Sequence, residues 1–389
     1  MNDAPVQTFD RVLLCTVLAF LMLGILMVYS SSTFWGAERY GSSLLFMKSH
    51  LIRIFIGCLF MLIASKVDYH FFRLMTPFIL LVTFILLMVV LTVPEFHGSH
   101  RSLLIAGFRF QPSELMKLVL VFYLAAVFTK KAKAEPMEEK QIFVHYGVIL
   151  LISALIFCEP DLGSAVVIFL IAIAMFFIAG VPGGSLIKLV WGIIPILAMG
   201  MVLFPHQKKR VFDFYKAVFG GGELEYQIKQ AMIGLAQGGL TGVGYGEGKQ
   251  KLLFLPEPFS DFILASLGEE LGFIGMCVVF LLLLTILWRG LRIAKRAPDH
   301  FGFLVASGVT AMICINAVVN AGVVLNLLPT TGLTFPFLSY GGSSLFVNLV
   351  GIGILLNISR QSVMPYREFT DMRSKQVEKG KKTIWRELY

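Results

Sequence analysis

Long apolar stretches alternate with short polar breaks along this chain, and the length of the stretches predicts membrane-spanning helices. Crossing a hydrocarbon core of about 30 Å takes about 20 mostly apolar residues per helix. Membrane barrel strands would instead be about ten residues long and would alternate in polarity. The pattern therefore predicts an all-α integral membrane protein with ten transmembrane helices, at about 11–30, 48–65, 74–93, 113–128, 141–158, 161–180, 186–204, 262–288, 301–325 and 340–358.

Composition agrees with a membrane protein and excludes an ordinary soluble domain. Of the 389 residues, 57% are hydrophobic and 15% are charged, whereas soluble domains are about 25% charged. The five cysteines all fall inside predicted spans, where we expect them to be small buried hydrophobes. The seven histidines are scattered, with no HExxH or His/Cys cluster, so we expect no metal site built by the protein itself.

The distribution of basic residues predicts the orientation. An even number of spans puts both termini on one side, and cytoplasmic segments carry an excess of Lys and Arg. Basic clusters at 130–133 and 289–296, with the tail at 359–389, favour cytoplasmic termini. We interpret the basic tail as a segment near anionic lipid rather than a nucleic-acid site. The short outer connections hold fewer basic residues, namely Arg39, Lys48, Arg101 and Arg109.

One long segment, 205–260, interrupts the rhythm and is predicted to be a large extracytoplasmic loop between helices 7 and 8. Residues 226–237 have apolar positions at helical spacing, which predicts a short amphipathic helix on the membrane. The glycines at 238–248 allow close approach to a helix or to a bound anion. The basic residues of the loop, Arg210 and Lys251 among them, suit phospholipid headgroups and a pyrophosphate site equally well. The whole chain, 1–389, is predicted to be a single membrane domain, with a transmembrane bundle at about 11–358, this loop, and a basic cytoplasmic tail at 359–389.

Four polar breaks carry the candidate chemistry. In FQPSELMKL, Glu114 and Lys117 are spaced i,i+3 and can pair, as a structural ion pair or as part of a site. In CEPDLGSA, Asp161 is a candidate helix cap or a ligand for a cation or sugar hydroxyl. The stretch LLPTTGLTFPFLSYGGSSL at 327–345, which includes Ser339 and Ser343, predicts irregular backbone along the wall of a polar cavity.

The fourth break is LPEPFSDFILASLGEELG. Ser260 or Asp261 is a candidate N-cap for the eighth span. Glu269 and Glu270 lie about 12–14 Å further along a continuous helix, where at least one acid needs a partner or a proton. All four breaks fall on the predicted outer side, which indicates an outward-facing site rather than the mid-bilayer site typical of a transporter.

These motifs, together with QAMIGLAQGGLTGVGYG, resemble the SEDS family (shape, elongation, division and sporulation). The resemblance runs from near residue 20 to near residue 358, in the family's order. It implies a ten-span peptidoglycan glycosyltransferase that polymerises lipid II into glycan strands at the outer face of the bacterial cytoplasmic membrane. Its implied partners are a class B penicillin-binding protein transpeptidase and other proteins of the divisome or elongasome.

The resemblance also assigns roles to residues. Asp261 matches the aspartate required for polymerisation, and Glu114, Lys117 and Asp161 match polar cavity residues. We expect Asp261 to act as general base, and basic residues such as Lys117 and Arg101 to stabilise the leaving pyrophosphate, with a divalent ion (Mg²⁺ or Mn²⁺) as a further candidate.

The chain departs from the family pattern at two places. HGSHRSLLIAG keeps Arg101 but lacks the tryptophan that often follows, and KSH at 48–50 replaces consecutive basic residues. YSSS at 29–32 and Gln250-Lys251 resemble the division-type FtsW branch more than the RodA branch. A lipid II flippase and a non-catalytic scaffold for a penicillin-binding protein are the alternative functions.

Overall fold

A computed structural model describes residues 9–93, 102–105, 108–132 and 139–362, which fold into a helical bundle. Arg101 and the basic tail beyond residue 362 lie outside the described residues. The described elements, in chain order, are α1 (Arg11–Tyr40), α2 (Leu45–Lys66), α3 (Tyr69–Val90), β1 (Leu103–Ile105), β2 (Phe108–Phe110), α4 (Pro112–Ala132), α5 (Glu139–Cys158), α6 (Leu162–Ile178), α7 (Gly183–Leu203), α8 (Pro205–Phe219), α9 (Tyr226–Gly238), α10 (Ile263–Lys295), α11 (His300–Val324) and α12 (Gly342–Gln361).

The length and apolar character of its helices identify the chain as a multi-pass membrane protein. Within the described residues, eight helices are long and apolar enough to cross a membrane: α1 to α4, α7 and α10 to α12. Two shorter apolar helices, Ile142–Cys158 and Leu162–Ile178, coincide with the fifth and sixth predicted spans. Eight of the ten predicted spans therefore meet the length criterion outright.

Burial divides the helices into inner and outer ones. α4, α11 and α12 are largely buried, whereas α2, α3 and α7 carry many exposed large apolar side chains. In a membrane such side chains face lipid, because the surrounding acyl chains are as apolar as leucine.

Both ends of the described chain meet at one face of the bundle. Asp10 caps α1 by accepting from Leu13 N at 2.9 Å, and its own N–H donates to Ser359 Oγ at the end of α12. Arg289 near the end of α10 donates to the Asp10 carboxylate from Nε at 2.8 Å. Asp299 caps α11 and accepts from Tyr69 OH at 2.7 Å. This face therefore gathers the starts of α1, α3 and α11 and the ends of α10 and α12.

The opposite face contains elements that the apolar pattern alone does not predict. A hairpin of β1 and β2 precedes α4, with Leu104 opposite Arg109. The predicted loop at 205–260 contains two helices, α8 and α9, of which only α9 is predicted from the sequence. Instead of lying alone on the lipid surface, α9 packs against α10 through small residues, because a β-carbon on Gly238 would lie 1.9 Å from Gly268 O.

The segment between α11 and α12 has no regular helix and enters the bundle. A β-carbon on Gly24, in the middle of α1, would lie 2.6 Å from the Phe337 carbonyl oxygen. The ring of Phe20 contacts those of Phe335 and Phe337, at centroid distances of 6.3 and 6.0 Å. The prediction of irregular backbone within the bundle is confirmed.

α10 is broken at Gly272, which has φ 64° and ψ −162°. The segment 239–251, which we name the glycine clamp, bonds to both sides of the break. Val243 N and Gly244 N donate to the carbonyls of Glu269 and Glu270, at 3.0 and 3.1 Å. Across the break, Phe273 N and Ile274 N donate to the carbonyls of Gly239 and Leu240, at 2.9 and 3.1 Å. The clamp therefore caps the end of one helix and the start of the next.

Candidate active site

Asp261 lies at a small polar cavity where five parts of the chain meet. The cavity has a volume of about 160 Å³. Its polar lining comes from α8, α9, α11 and two loops: Arg210, Gln227, Asp261, Asn320, Thr330 and Thr331. The structure therefore places two of the predicted site residues, Asp261 and Arg210, at one cavity.

Hydrogen bonds from α11 hold the backbone around Asp261. Asn320 Nδ2 donates to the Asp261 carbonyl at 2.8 Å and to the Leu333 carbonyl at 2.6 Å. Ser260 Oγ donates to Asp261 Oδ1 at 3.0 Å. The predicted N-cap is wrong by one or two residues, because α10 begins at Ile263 and its N-cap is Phe262. The chain turns before the helix starts, so Asp261 lies in the cavity wall instead of on the helix.

Arg210 reaches the same cavity because α8 is anchored one turn earlier. Gln207 is 1% exposed and donates from Nε2 to the Pro160 carbonyl at 2.9 Å. Thr330, which also lines the cavity, donates from Oγ1 to Glu225 Oε2 at 3.0 Å. These contacts fix two parts of the cavity lining, the helix that carries Arg210 and the irregular segment that carries Thr330.

Glu114 and Lys117 form the ion pair that their spacing predicts. Lys117 Nζ lies 2.7 Å from Glu114 Oε1 and also donates to Asn316 Oδ1 at 3.1 Å. Both charged side chains are buried, and neither lines the cavity of Asp261. Asn316 and Asn320 are i,i+4 on α11, a rise of about 6 Å. The ion pair therefore lies about one helical turn along α11 from the Asp261 backbone.

Asp161 caps α6, as predicted, by accepting from Ser164 N at 3.0 Å. Its other oxygen accepts from Gln111 Nε2 at 2.8 Å. The backbone N–H of Gln111 in turn donates to Ser343 Oγ at 2.8 Å. This chain of contacts joins the starts of α4, α6 and α12. The adjoining Gly163 packs on the cavity segment, since its β-carbon would lie 2.6 Å from Thr331 O.

The remaining predicted residues have structural partners away from the Asp261 cavity. Ser339 closes a turn by accepting from Phe335 N at 2.9 Å. Ser343 bridges Gln111 and the Arg109 carbonyl. Lys251 is 6% exposed and its ammonium contacts Ser30, Gly246 and Glu270.

Glu269 and Glu270 are buried and have partners, as predicted for bundle-interior acids. Glu270 accepts from Ser30 Oγ at 2.6 Å, from Gly246 N at 3.0 Å and from Lys251 Nζ at 2.8 Å. Glu269 accepts from Lys249 N at 2.7 Å. The glycine clamp supplies most of these donors.

Tyr245 attaches the clamp to α1. Its hydroxyl donates to the Leu26 carbonyl at 2.8 Å. Burial is the first cause that raises the pKa of Tyr245, followed by electrostatic interaction with Glu270 and then with Tyr29. A tyrosine hydroxyl is already protonated at neutral pH, and the raised pKa extends the pH range of the bond to more alkaline conditions.

The cavity does not have the donor set of a metal site. Among the described residues, no group of three or more His, Cys, Asp and Glu is placed to hold a metal ion. Asp261 shares the cavity with the cation Arg210. Hard divalent ions prefer several oxygen ligands, so the residues present do not fit a protein-built Mg²⁺ or Mn²⁺ site.

Sequence reasoning misses the amides and hydroxyls that surround Asp261. Asn320 Oδ1 and Thr331 Oγ1 are buried and, within the described part of the chain, have no hydrogen-bond partner. The spacing of Asn316 and Asn320 within an apolar span is the signal that indicates them, because buried amides in membrane helices are expensive unless they serve a contact.

A family model confirms the relationship that the motifs indicate. Residues 10–364 match the FtsW/RodA/SpoVE family, described as cell cycle protein. The chain belongs to the SEDS family. Stage V sporulation protein E of Bacillus subtilis is 38% identical over 362 residues, covering 91% of this chain and 97% of that protein. A probable peptidoglycan glycosyltransferase FtsW of Trichlorobacter lovleyi is 38% identical over 365 residues, covering 90% of this chain and 93% of its own.

Solved structures of SEDS relatives share the fold. A chain of a peptidoglycan synthase complex that coordinates polymerization and crosslinking matches with a TM-score of 0.72 at 25% identity, covering 91% of this chain and 98% of that one. The rod shape determining protein RodA of Thermus thermophilus matches with a TM-score of 0.68 at 24% identity, over 92% of this chain and 98% of its own. The bundle is therefore a RodA-like membrane fold.

Proposed function

We propose that this SEDS protein is a peptidoglycan glycosyltransferase that polymerises lipid II, with Asp261 as its general base. The observation that carries the proposal is the cavity that places Asp261 beside Arg210, Asn320 and Thr331. Relatives over 90% of the chain are named probable peptidoglycan glycosyltransferases. The buried Asn320 Oδ1 and Thr331 Oγ1, without partners in the described residues, suit the hydroxyls of a sugar.

In this mechanism Asp261 accepts the proton of the 4-hydroxyl of the acceptor GlcNAc. The hydroxyl oxygen then forms a bond to the anomeric carbon of the donor MurNAc, with inversion. The bond from that carbon to the diphosphate oxygen breaks, and undecaprenyl pyrophosphate leaves with the electron pair. General-base assistance is worth about 10²–10⁴-fold in rate.

The leaving diphosphate needs positive charge, and Arg210 is the cation in the cavity wall. Preorganised cations stabilise charge that develops in the transition state. Lys117 supports the cavity indirectly, by holding Asn316 on α11, because its ammonium is bound within the bundle to Glu114 and Asn316. A divalent ion belongs to the proposal only as an ion carried by the substrate diphosphate.

The proposal includes a topology. Ten spans, counting α5 and α6, put both termini on one side, and the basic clusters assign that side to the cytoplasm. Asp261, the irregular segment and the large loop with α8 and α9 then face outward, where lipid II presents its sugars. The site lies within one membrane domain.

The proposed partner is a class B penicillin-binding protein, which cross-links the strands. A relative of similar fold occurs in a complex that coordinates polymerization and crosslinking. The sequence identity to FtsW proteins favours cell division over elongation as the process in which this protein acts.

The proposal is tested with purified Asp261→Asn protein and fluorescent lipid II, alone and with a partner transpeptidase. We expect glycan polymer formation to fall at least about 100-fold while the melting temperature is unchanged. The matched control is Glu257→Gln, which neutralises an exposed acid four residues earlier in the same loop. Glu257→Gln protein is expected to polymerise normally.

Other results would favour the alternatives. Polymer formation by Asp261→Asn at the wild-type rate would exclude Asp261 as the base. Transport of labelled lipid II across liposomes without polymer would identify a flippase. A wild-type protein that shows neither activity, even with its partner, would be a scaffold.

A further inference from the structure

Arg53, inside α2, is a cation without an acid. Arg53 is partly buried, its Nε atom is buried without a hydrogen-bond partner, and no carboxylate pairs with it among the described residues. A charge inside a membrane span is expensive unless it is paired. Two buried cations, Lys117 and Lys251, and the partly buried Arg289 follow this rule, with Glu114, Glu270 and Asp10 as their carboxylate partners.

Arg53 and His50 meet at the ring of Tyr340. The guanidinium carbon of Arg53 lies 4.1 Å from the ring centroid, and the His50 ring centroid lies 5.8 Å away. Stacking covers one face of the guanidinium but satisfies none of its N–H donors. His50 is 1% exposed, and neither of its ring nitrogens has a hydrogen-bond partner in the described part of the chain.

The first turn of α12 begins directly after Tyr340. Its N-cap, Gly341, has no side chain to cap the helix. The N–H groups of Gly342, Ser343 and Ser344 have no acceptor among the described residues. A β-carbon on Gly342 would lie 3.7 Å from Arg53 Nε, so the guanidinium lies beside this helix start. The positive end of the helix dipole and the charge of Arg53 thus act at the same place.

We propose that Arg53, His50 and the first turn of α12 form a binding site for a phosphate-bearing lipid headgroup. A phosphate group accepts from a guanidinium edge and from helix N-terminal N–H groups at the same time. His50 adds one donor and one acceptor, which suits a phosphate ester or its hydroxyl neighbour. These groups can bind a phosphate directly, so the site needs no metal ion and no oxygen ligands to hold one.

The position of the site relates it to the cavity of Asp261. Ser343 in this helix turn is bonded to Gln111, and Gln111 is bonded to Asp161 beside the cavity segment. In the proposed reaction the occupant is the diphosphate of the acceptor lipid II, whereas the leaving diphosphate of the donor lies near Arg210; this assignment rests on the proposed function. An anionic phospholipid presents the same phosphate chemistry, so the experiment includes both.

The test uses the purified full chain in detergent and farnesyl diphosphate as a short-chain lipid diphosphate. Binding is followed by thermal shift and by ³¹P NMR, neither of which requires polymerase activity. Arg53→Gln removes the charge, Arg53→Lys keeps it without the planar fork, and His50→Gln keeps a donor and an acceptor. Arg73→Gln is the matched control, since Arg73 stacks on Phe301 at 5.8 Å near the start of α3.

We expect Arg53→Gln to weaken binding about 10-fold or more, Arg53→Lys and His50→Gln to weaken it less, and Arg73→Gln to leave it unchanged. Phosphatidylglycerol that displaces the probe at equal concentration would identify the phospholipid headgroup as the occupant of the site. The inference is overturned if every Arg53 and His50 variant binds as wild type does, or if only Arg210→Gln weakens binding, because the probe then binds at the Asp261 cavity.

Failure of this inference and failure of the proposed function give different results. If the protein binds farnesyl diphosphate through Arg53 but makes no glycan polymer, the headgroup site is supported and the glycosyltransferase proposal is not. If the protein polymerises lipid II and its Arg53→Gln variant binds the probe normally, the glycosyltransferase proposal is supported and the headgroup site is not.

Discussion

Asp261 and Glu270 lie nine residues apart, yet their surroundings are opposite. Asp261 is partly exposed at a cavity that also contains Arg210. Glu270 is 1% exposed and accepts from a hydroxyl, a backbone N–H and an ammonium. The first arrangement leaves room for a ligand, whereas the second fills the acceptor positions with protein donors. A carboxylate in a membrane helix or just before it therefore has two uses, and access to a cavity separates them.

The largest loss of stability is expected from Glu270→Ala. Removing one partner of a buried ion pair costs about 3–5 kcal/mol, because Lys251 would remain buried without its counter-ion. Denaturant unfolding in detergent micelles measures the loss. The control is Glu247→Ala, since Glu247 is an exposed acid in the same clamp. A loss below about 1 kcal/mol would place the Glu270 pair among the weak surface pairs.

Gly272→Ala is expected to destabilise the protein by at least about 2 kcal/mol, through backbone strain and crowding. The added β-carbon would lie 2.3 Å from Gly242 N, at a residue with φ 64°. The matched substitution Gly184→Ala, where nothing lies within 4 Å, is expected to cause no loss. Equal melting temperatures for the two variants would mean that the break in α10 adapts freely.

Asn320→Ala tests the surroundings of Asp261, the carboxylate at the cavity. It leaves the carbonyls of Asp261 and Leu333 without their donor, which costs about 1–3 kcal/mol. Small displacements of reacting groups lower rates strongly, so we expect polymerisation to fall about 10-fold or more. Asn348→Ala is the control, because the bonds of Asn348 to described residues all go to Ser344, in its own helix. If both variants lose stability but polymerise equally, Asn320 does not position Asp261.

The smallest effect is expected at a solvent-exposed carboxylate that neither lines a cavity nor is enclosed by protein donors. Asp68 is exposed and caps α3, and the His70 backbone N–H is the main cause that lowers the pKa of Asp68. A lowered folded-state pKa contributes stability above the unfolded pKa near 4, and this contribution is lost as pH falls through the folded value. Asp68→Ala should therefore cost about 0.5 kcal/mol at pH 7. Unfolding midpoints at pH 7 and pH 3 check this, and the difference from wild type should shrink at pH 3.

Local spacing predicts several features of the site correctly. The i,i+3 spacing predicts the Glu114–Lys117 pair, and the residue type at the start of α6 predicts the cap by Asp161. The apolar periodicity predicts α9. Each of these features depends on residues within one or two helical turns, which is the range over which a sequence pattern carries structural information.

Features that depend on distant residues are missed. The apolar run through Gly272 reads as one helix, because the break is stabilised by N–H and C=O groups some thirty residues earlier. The partner of Lys251 is likewise Glu270, nineteen residues on. The role of Asp261 comes from family resemblance, while the cavity that surrounds it requires α8, α11 and the irregular segment together. Arg101 lies outside the described residues, so its part in the site stays a prediction.

The glycine clamp divides the large loop into two parts that differ in how much engineering they tolerate. Residues 239–244 are hydrogen-bonded across the break in α10, so an inserted tag there would pull apart two helix ends. Residues 220–223, between α8 and α9, are all exposed, and Gly221 already has a positive φ of 64°. A fluorophore or epitope for tracking the protein in living cells therefore belongs at Gly221.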